Sequence, residues 1–356
     1  MIGLGGGGIK RCNLMNAMVI GAGRMGKAIG HDLAHSGWKV RYIDSDPRSG
    51  AEEADVSKPT PGLFGDAQVA ISAVPFTLNL GLAKAAVAAG VHFCDLGGND
   101  AVVAKEMALD RAAAKKSVCL VPDCGLAPGM ASFLVAWGLQ SFKKPERVRV
   151  RVGGLPLEPK PPLNYQMVFS MGGLINEYRG YCRTLRNGRL ARVRAMTGVE
   201  SVDFPDLGPL EAFNTSGGAS TMPDTYRGQV GSLDYKTLRF PGHCALMRKA
   251  LRMKDPGAWV LKNVPPTGPD QVLVKVDIEG EGRRWTLTLR DVERDGFSAM
   301  QRTTGFSASI VAQLISNGRT KRKGALRQER DFDPAEFVAE LRKRDFDLRV
   351  ETQSIR

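Results

Sequence analysis

Along the first third of the chain, short unbroken apolar runs alternate with stretches in which apolar residues recur every three or four positions. Ala17–Ile20 is such a run, stopped by Gly21, and reads as a buried parallel strand. Arg24–Ser36 carries Met25, Ala28, Ile29, Leu33 and Ala34 at helical spacing, and Gly37 ends it. Val40–Ile43 is the next strand, closed by Asp44. The alternation continues with a strand at Val69–Val74 ended by Pro75, a helix at Leu78–Ala89 stopped by Gly90, and a strand at Val91–Leu96. A helix at Val102–Ala114, a strand at Val118–Val121 and a helix from Gly129 to Leu139 complete the series. Such repetition predicts an α/β fold, a doubly wound parallel sheet with helices on both faces.

From about residue 146 the period changes. Val148, Val150 and Val152 alternate with arginines, as a half-buried antiparallel strand requires. Val272, Val274, Val276 and Ile278 do the same, and Trp285, Leu287 and Leu289 follow the turn Glu279–Gly282. A second domain of mixed α+β type is predicted here. Helical spacing returns at Gly305–Leu314 and in the amphipathic stretch Pro334–Arg344.

Gly21-Ala22-Gly23-Arg24-Met25-Gly26 stands between the first strand and the first helix, and Asp44 closes the second strand. A lone pattern of this kind says little, but here strand, glycine turn, helix and acid occur in the order a dinucleotide site needs. Gly21 permits the tight turn, Gly23 lets the pyrophosphate approach the backbone, and Gly26 lets helix and sheet pack closely. The amide groups of Ala22, Arg24 and Met25 then lie at a helix start, where phosphates bind. The carboxylate of Asp44 suits the adenosine ribose hydroxyls and repels the extra phosphate of NADP, so NAD is the expected cofactor. Arg48 and, less so, Arg41 lie near enough in sequence to complicate that choice. Ligands of doubly wound sheets bind outside the carboxyl ends of the strands, which puts Val74, Pro75, Asp95, Asp123 and Gly125 beside the groove. The expected organisation is a Rossmann domain over 15–130, a substrate-binding and dimerisation domain over 131–304, and C-terminal helices over 305–356 that return to the Rossmann domain.

Composition narrows the partners. The chain has 356 residues, enough for two domains, with 43% hydrophobic and 24% charged residues. No apolar run approaches the roughly 20 residues of a membrane-spanning helix, so a soluble protein without membrane contact is expected. The net charge of +13 is concentrated at Arg183–Arg194 and Arg319–Arg330. Neither stretch interleaves aromatics, so both read as solvated arginine-rich surface and no nucleic-acid partner is expected. The six cysteines, Cys12, Cys94, Cys119, Cys124, Cys182 and Cys244, form no Cys-x-x-Cys pair and fit a reducing cytoplasm. Residues 1–14 are glycine-rich and lack the apolar stretch of a signal peptide. They are expected to be a disordered extension, or to precede a true start at Met15.

Three second-domain segments mix glycines with polar side chains able to bind a charged amino acid: Gly172–Tyr178, Asn214–Gly218 with Thr215, and Asp234–His243. Arg239 and Lys236 suit a carboxylate, and Glu177 suits an ammonium. His243 is the best placed of four histidines for acid–base work. His31 and His35 share a helix face without a third ligand, so a packing role is expected there and no metal site. His92, at a strand start, reads as structural.

Several of these blocks resemble the saccharopine dehydrogenase family. The resemblance runs from Met15 to about Phe332. It is carried by the glycine fingerprint, Asp123-Cys124-Gly125-Leu126-Ala127-Pro128-Gly129, Leu210–Thr215, Tyr235-Lys236-Thr237-Leu238-Arg239-Phe240-Pro241-Gly242-His243 and Arg302–Phe306. Within the family the chain looks most like the lysine 6-dehydrogenases. That likeness implies NAD-dependent oxidative deamination of the lysine side-chain amine, giving the semialdehyde and ammonia, by a homodimer or larger homo-oligomer. It also implies that His243, Lys236 and Tyr235 help with proton transfer, that Arg239 and Thr237 hold the α-carboxylate, and that Glu177 holds the α-ammonium. Two other readings stay open. One is a saccharopine- or carboxyspermidine-type dehydrogenase, for which Arg179, Arg183 and Arg227 supply further cations. The other is an NAD-binding interaction protein without turnover.

Overall fold

The computed structural model describes residues 15–265 and 268–355; the expectation for residues 1–14 lies outside them. Seven parallel strands form the first sheet, in the order Gly324–Ala325, Cys119–Val121, His92–Asp95, Val69–Ser72, Asn16–Ile20, Lys39–Asp44, Glu52–Glu53. The central strands are apolar on both faces because helices cover both, as the unbroken runs of the sequence require. Strand order reverses between Asn16–Ile20 and Val69–Ser72, so a crevice opens at their carboxyl ends.

Mixed pairing builds the second sheet. Its main path runs Glu200–Phe204, Gly208–Asn214, Ser232–Arg239, Arg147–Pro156, Asp270–Gly280, Arg283–Val292, Leu348–Ser354. A hairpin, Tyr181–Arg186 with Arg189–Arg194, attaches to Ser232–Arg239. The long hairpin Asp270–Val292 turns at Glu281 and Gly282, both at positive φ (55° and 70°), which matches the twist of its strands.

Several elements depart from the sequence pattern. The stretch Val102–Ala114 is two helices, Asp100–Met107 and Asp110–Lys115. Asn99 caps the first through its side chain, an early start that periodicity does not show. The strand expected to reach Val74 ends at Ser72. Helix Ser307–Ser316 follows a wide turn over Arg302–Phe306. There Gly305 lies so close to the first helix that a Cβ on it would sit 2.7 Å from the Cβ of Ala28. The C-terminal region does not return wholly to the Rossmann domain. Gly324–Ala325 joins the first sheet, but Leu348–Ser354 pairs with Arg283–Val292 at the edge of the second. Among the described residues no helix is long and apolar enough to cross a membrane.

Candidate active site

The glycine turn leads from the strand Asn16–Ile20 into the helix Arg24–His35. Gly21 adopts φ 97° and donates its N–H to the Ile43 carbonyl at 2.8 Å. A Cβ on Gly26 would lie 1.8 Å from the Gly21 carbonyl oxygen, so only glycine lets this helix start where it does. Gly23 is the opposite case. It is exposed, and a Cβ there would meet no atom within 4 Å. That clearance, at a helix N-terminus, fits a pyrophosphate. Arg24 is exposed and Met25 half-buried at the same rim.

Asp44 accepts the Ala22 N–H at 2.7 Å and the Asp46 N–H at 2.9 Å. Its carboxylate therefore stands at the mouth of the turn, where the ribose of a dinucleotide belongs. The two arginines that complicate the cofactor choice are engaged elsewhere. Arg48 makes a fork with Asp46 (2.9 and 3.0 Å), and Arg41 bonds Glu52 and the Leu63 carbonyl. Further along the groove, a Val74 methyl lies 3.1 Å from where a Cβ on Gly21 would be, and Pro75 is exposed at the start of a short helical turn. Gly125 lies beside Leu96 and Thr304.

Behind the carboxyl ends of His92–Asp95 and Cys119–Val121 three acids are buried together. Asp95 accepts the Gly97 N–H at 2.6 Å, and Asp123, at φ 62°, accepts the Ser220 hydroxyl at 2.5 Å. Glu106 is fully buried beside them. Burial pushes Asp95 up to about 6 and Glu106 up to about 10, the latter aided by the charges of Asp95 and Asp123. Asp123 is raised for the same reasons. Ser220 belongs to the second domain, so its bond to Asp123 joins the two halves of the cleft.

The polar segments of the second domain meet on one face of the strand Ser232–Arg239. Side chains alternate along a strand, so Tyr235, Thr237 and Arg239 point one way and Lys236 the other. The Thr237 hydroxyl bonds the Thr215 hydroxyl at 2.7 Å and donates to Glu177 Oε1 at 2.9 Å. Arg239 Nη2 lies 3.5 Å from the same Glu177 oxygen. Glu177 is the solvent-facing member, its side chain 19% exposed against 2% for Arg239. Burial outweighs the Arg239 charge and the Thr237 bond, and the Glu177 carboxyl is raised above its ordinary range. The neighbouring Asn176 donates to the Gly98 carbonyl at 2.7 Å. That bond ties the helix that carries Glu177 to the loop that leaves the strand His92–Asp95.

Three sequence-derived roles change. Arg239 does not face the cleft: its Nε donates to the Tyr178 hydroxyl at 2.9 Å, its Nη1 to the Leu238 carbonyl, and it lies 4.9 Å from the Tyr165 ring centre. It holds Glu177 from behind. His243 has both ring nitrogens engaged, with the Leu163 carbonyl and the Tyr178 hydroxyl, each at 3.0 Å. Burial, then the Arg239 charge, pushes it down to about 3, so it is a neutral support for Tyr178. Lys236 is on the far face, where it bonds the Gly198 carbonyl at 2.7 Å and pairs with Glu200 at 2.8 Å. Tyr235 stays on the cleft side but is packed so closely that a Cβ on Gly218 would strike its ring. Burial raises its hydroxyl, which stays protonated.

The remaining histidines pack. His31 lies against Phe297 with ring centres 4.7 Å apart, and the His92 Nδ1 accepts the Cys119 N–H. Among the described residues no cluster of His, Cys, Asp or Glu is arranged to hold a metal, and Cys94, Cys119, Cys124, Cys182 and Cys244 are free and buried. Asn176, Tyr178 and Ser220 carry the site geometry without having been assigned roles from sequence. The first two lie inside a segment whose composition marked it.

A family model, the saccharopine dehydrogenase C-terminal domain, matches residues 125–265 and 261–346, more than half of the chain. The saccharopine dehydrogenase (L-Glu forming) of Saccharomyces cerevisiae, solved in its apo form, superposes with a TM-score of 0.75 at 16% identity, covering 96% of this chain and 100% of that one. GenD2 of gentamicin A biosynthesis, solved with NAD, matches with a TM-score of 0.45 at 13% identity, over 96% and 95% of the two chains. The WlbA dehydrogenase of Bordetella pertussis, solved with NADH and UDP-GlcNAcA, matches with a TM-score of 0.41 at 11% identity, over 92% and 93%.

Proposed function

The chain belongs to the saccharopine dehydrogenase family, and on that premise we propose that it is an NAD-dependent dehydrogenase that oxidises the side-chain amine of lysine. The observation that carries this reading is Glu177. It is a half-buried carboxylate backed by Arg239 and Thr237, on a helix whose Asn176 bonds the Gly98 carbonyl beyond the strand His92–Asp95. A cationic amine is the group such a carboxylate recruits.

The glycine turn holds the pyrophosphate and Asp44 the ribose; NAD, when bound, supplies a hydride acceptor. The chain's own residues do the rest. An ammonium must lose a proton before its carbon can give up hydride, and Glu177, with its carboxyl raised by burial, is suited to take it. Arg239, buried and paired, keeps that carboxylate in place. Loss of hydride from the ε carbon leaves an imine on the substrate. Water adds to it, and ammonia departs to leave the semialdehyde. The bond from Ser220 to Asp123 holds the second domain over the groove while this happens.

A second reading, a dehydrogenase of the saccharopine type acting on a secondary amine, has its own support: the yeast protein that superposes over the whole chain is a saccharopine dehydrogenase (L-Glu forming). NADH absorbance separates the two. The expected result is reduced cofactor with NAD and L-lysine. Reduced cofactor with L-saccharopine and none with L-lysine transfers the assignment to the second reading.

A further inference from the structure

A sheet that ends in solvent leaves a row of backbone N–H and C=O groups without partners, and proteins guard such edges with short strands or with charge. Among the described residues the two sheets end in five outer strands. Four of them are guarded. Gly324–Ala325 and Glu52–Glu53 are two residues long, and the second is wholly acidic. Glu200–Phe204 carries Glu200 and Asp203 and no base, and Arg189–Arg194 carries three arginines and no acid. Leu348–Ser354 differs. It is seven residues long, exposed from Arg349 to Ser354, and carries one base and one acid, Arg349 and Glu351. Arg349 pairs with Asp347 at 2.8 Å and lies in the field of Asp206, whereas Glu351 pairs with no cation among the described residues. One face of the strand is apolar. Leu348, Val350 and Thr352 stand opposite Leu289, Leu287 and Trp285, which are buried, and Trp137 of the helix Met130–Leu139 meets the Trp285 ring edge-on at 5.8 Å. The apolar row thus runs out of the core and stops at Val350, 40% exposed.

We propose that Leu348–Ser354 pairs antiparallel with the same strand of a second copy of this chain, across a two-fold axis through Val350, so that the second sheets of two chains become one. The charge pattern of the strand selects this register. An axis at Glu351 overlaps the two strands fully but sets the two copies of Glu351 against each other, and an axis at Arg349 does the same with two arginines. With the axis at Val350, each Arg349 stands opposite the partner's Glu351, and Leu348 stands opposite the partner's Thr352. The two Val350 side chains meet on the apolar face, beyond Leu287. Glu351 gains the cation it lacks, Val350 leaves water, and the outer backbone groups of both strands find partners. Such a contact is isologous and uses up the edge in both chains, so assembly through it stops at a dimer. Three strands separate this edge from Ser232–Arg239 in the sheet, so the pairing does not depend on what the site oxidises.

Sedimentation equilibrium of the full chain, over a range of concentrations, reads the association directly. The wild type is expected to dimerise. Arg349→Glu leaves the strand with acids alone, and Glu351→Arg leaves it with bases alone. Each variant by itself is expected to dimerise at least about tenfold more weakly, because like charges then face each other twice across the axis. Mixed in equal amounts, the two variants are expected to regain a dimer of wild-type affinity, since every acid again meets a base. Native mass spectrometry, with one variant isotopically labelled, identifies that dimer as the mixed pair. A variant that has merely lost its fold cannot be rescued in this way. A wild type that stays monomeric throughout the concentration range overturns the proposal. So do single variants that dimerise as tightly as the wild type, which place the contact elsewhere, and a mixture that remains monomeric.

Discussion

The cofactor groove and the substrate side of the cleft are built on opposite plans. In the groove the working groups are backbone amides, and the side chains that matter are mostly absent: Gly23 offers open space and Gly26 permits contact. Across the cleft the working group, on the proposed reading, is a side chain, Glu177, and nearly everything around it is buried support: Arg239, Tyr178, His243, Thr237 and Thr215. A backbone site is fixed by chain path and tolerates exposure. A buried side-chain site holds its geometry only while every polar partner is satisfied. Damage should therefore show first as lost affinity on one side and as lost stability on the other.

The sharpest break in this contrast is Arg239→Met. It leaves Glu177 and Tyr178 without their cation in a buried place, and should cost about 3–5 kcal/mol of folding stability, read as a lower midpoint in urea unfolding. A variant of wild-type stability that only raised KM would put Arg239 back in the cleft. Next comes Asp44→Ala, which should leave stability nearly unchanged and weaken NAD binding about tenfold, or roughly 1.4 kcal/mol. NADP binding should not suffer, so the ratio of the two dissociation constants is the diagnostic. An unaltered ratio would remove Asp44 from cofactor selection. The smallest effect belongs to Lys236→Met. Glu200 keeps its bond to Arg151 at 2.6 Å, so stability should fall by no more than about 1 kcal/mol. kcat and KM should both stay within about twofold. A collapse of kcat would mean that the far face of this strand takes part in chemistry.

The same contrast explains what could be read from sequence. The groove is local: Gly21 to Asp44 is one strand–turn–helix–strand unit, and each residue's role follows from its place in it. The alternation that followed was equally legible, because both sheet faces are covered and the strands are apolar throughout. The substrate side is not local. Glu177 meets Thr237 and Arg239 across some sixty positions of chain, and Asp123 meets Ser220 across about a hundred. Composition marked the segments that take part, yet it could not say which side chains face outward. Strand alternation could have parted Lys236 from Thr237, had the ends of Ser232–Arg239 been known. Nothing local shows that His243 is sealed between Leu163 and Tyr178. Gln328 and Glu329 were hidden for a different reason: they sit inside an arginine-rich stretch that reads as solvated surface, yet they are buried against the first domain and Thr221.

Gly324–Ala325 is only two residues long, but it is the outermost strand of the first sheet, and it pairs with Cys119–Val121 from across two hundred positions. During synthesis the nucleotide-binding half emerges before its last strand and must wait, with that edge open, until a segment some two hundred residues further along has left the ribosome. An open edge of this sort invites the wrong partner, and a contact so distant in sequence is among the slowest to close. The order of manufacture and the order of completion thus run in different directions: the first sheet is finished by a strand made after most of the second, and by then most of the half that covers it is already present.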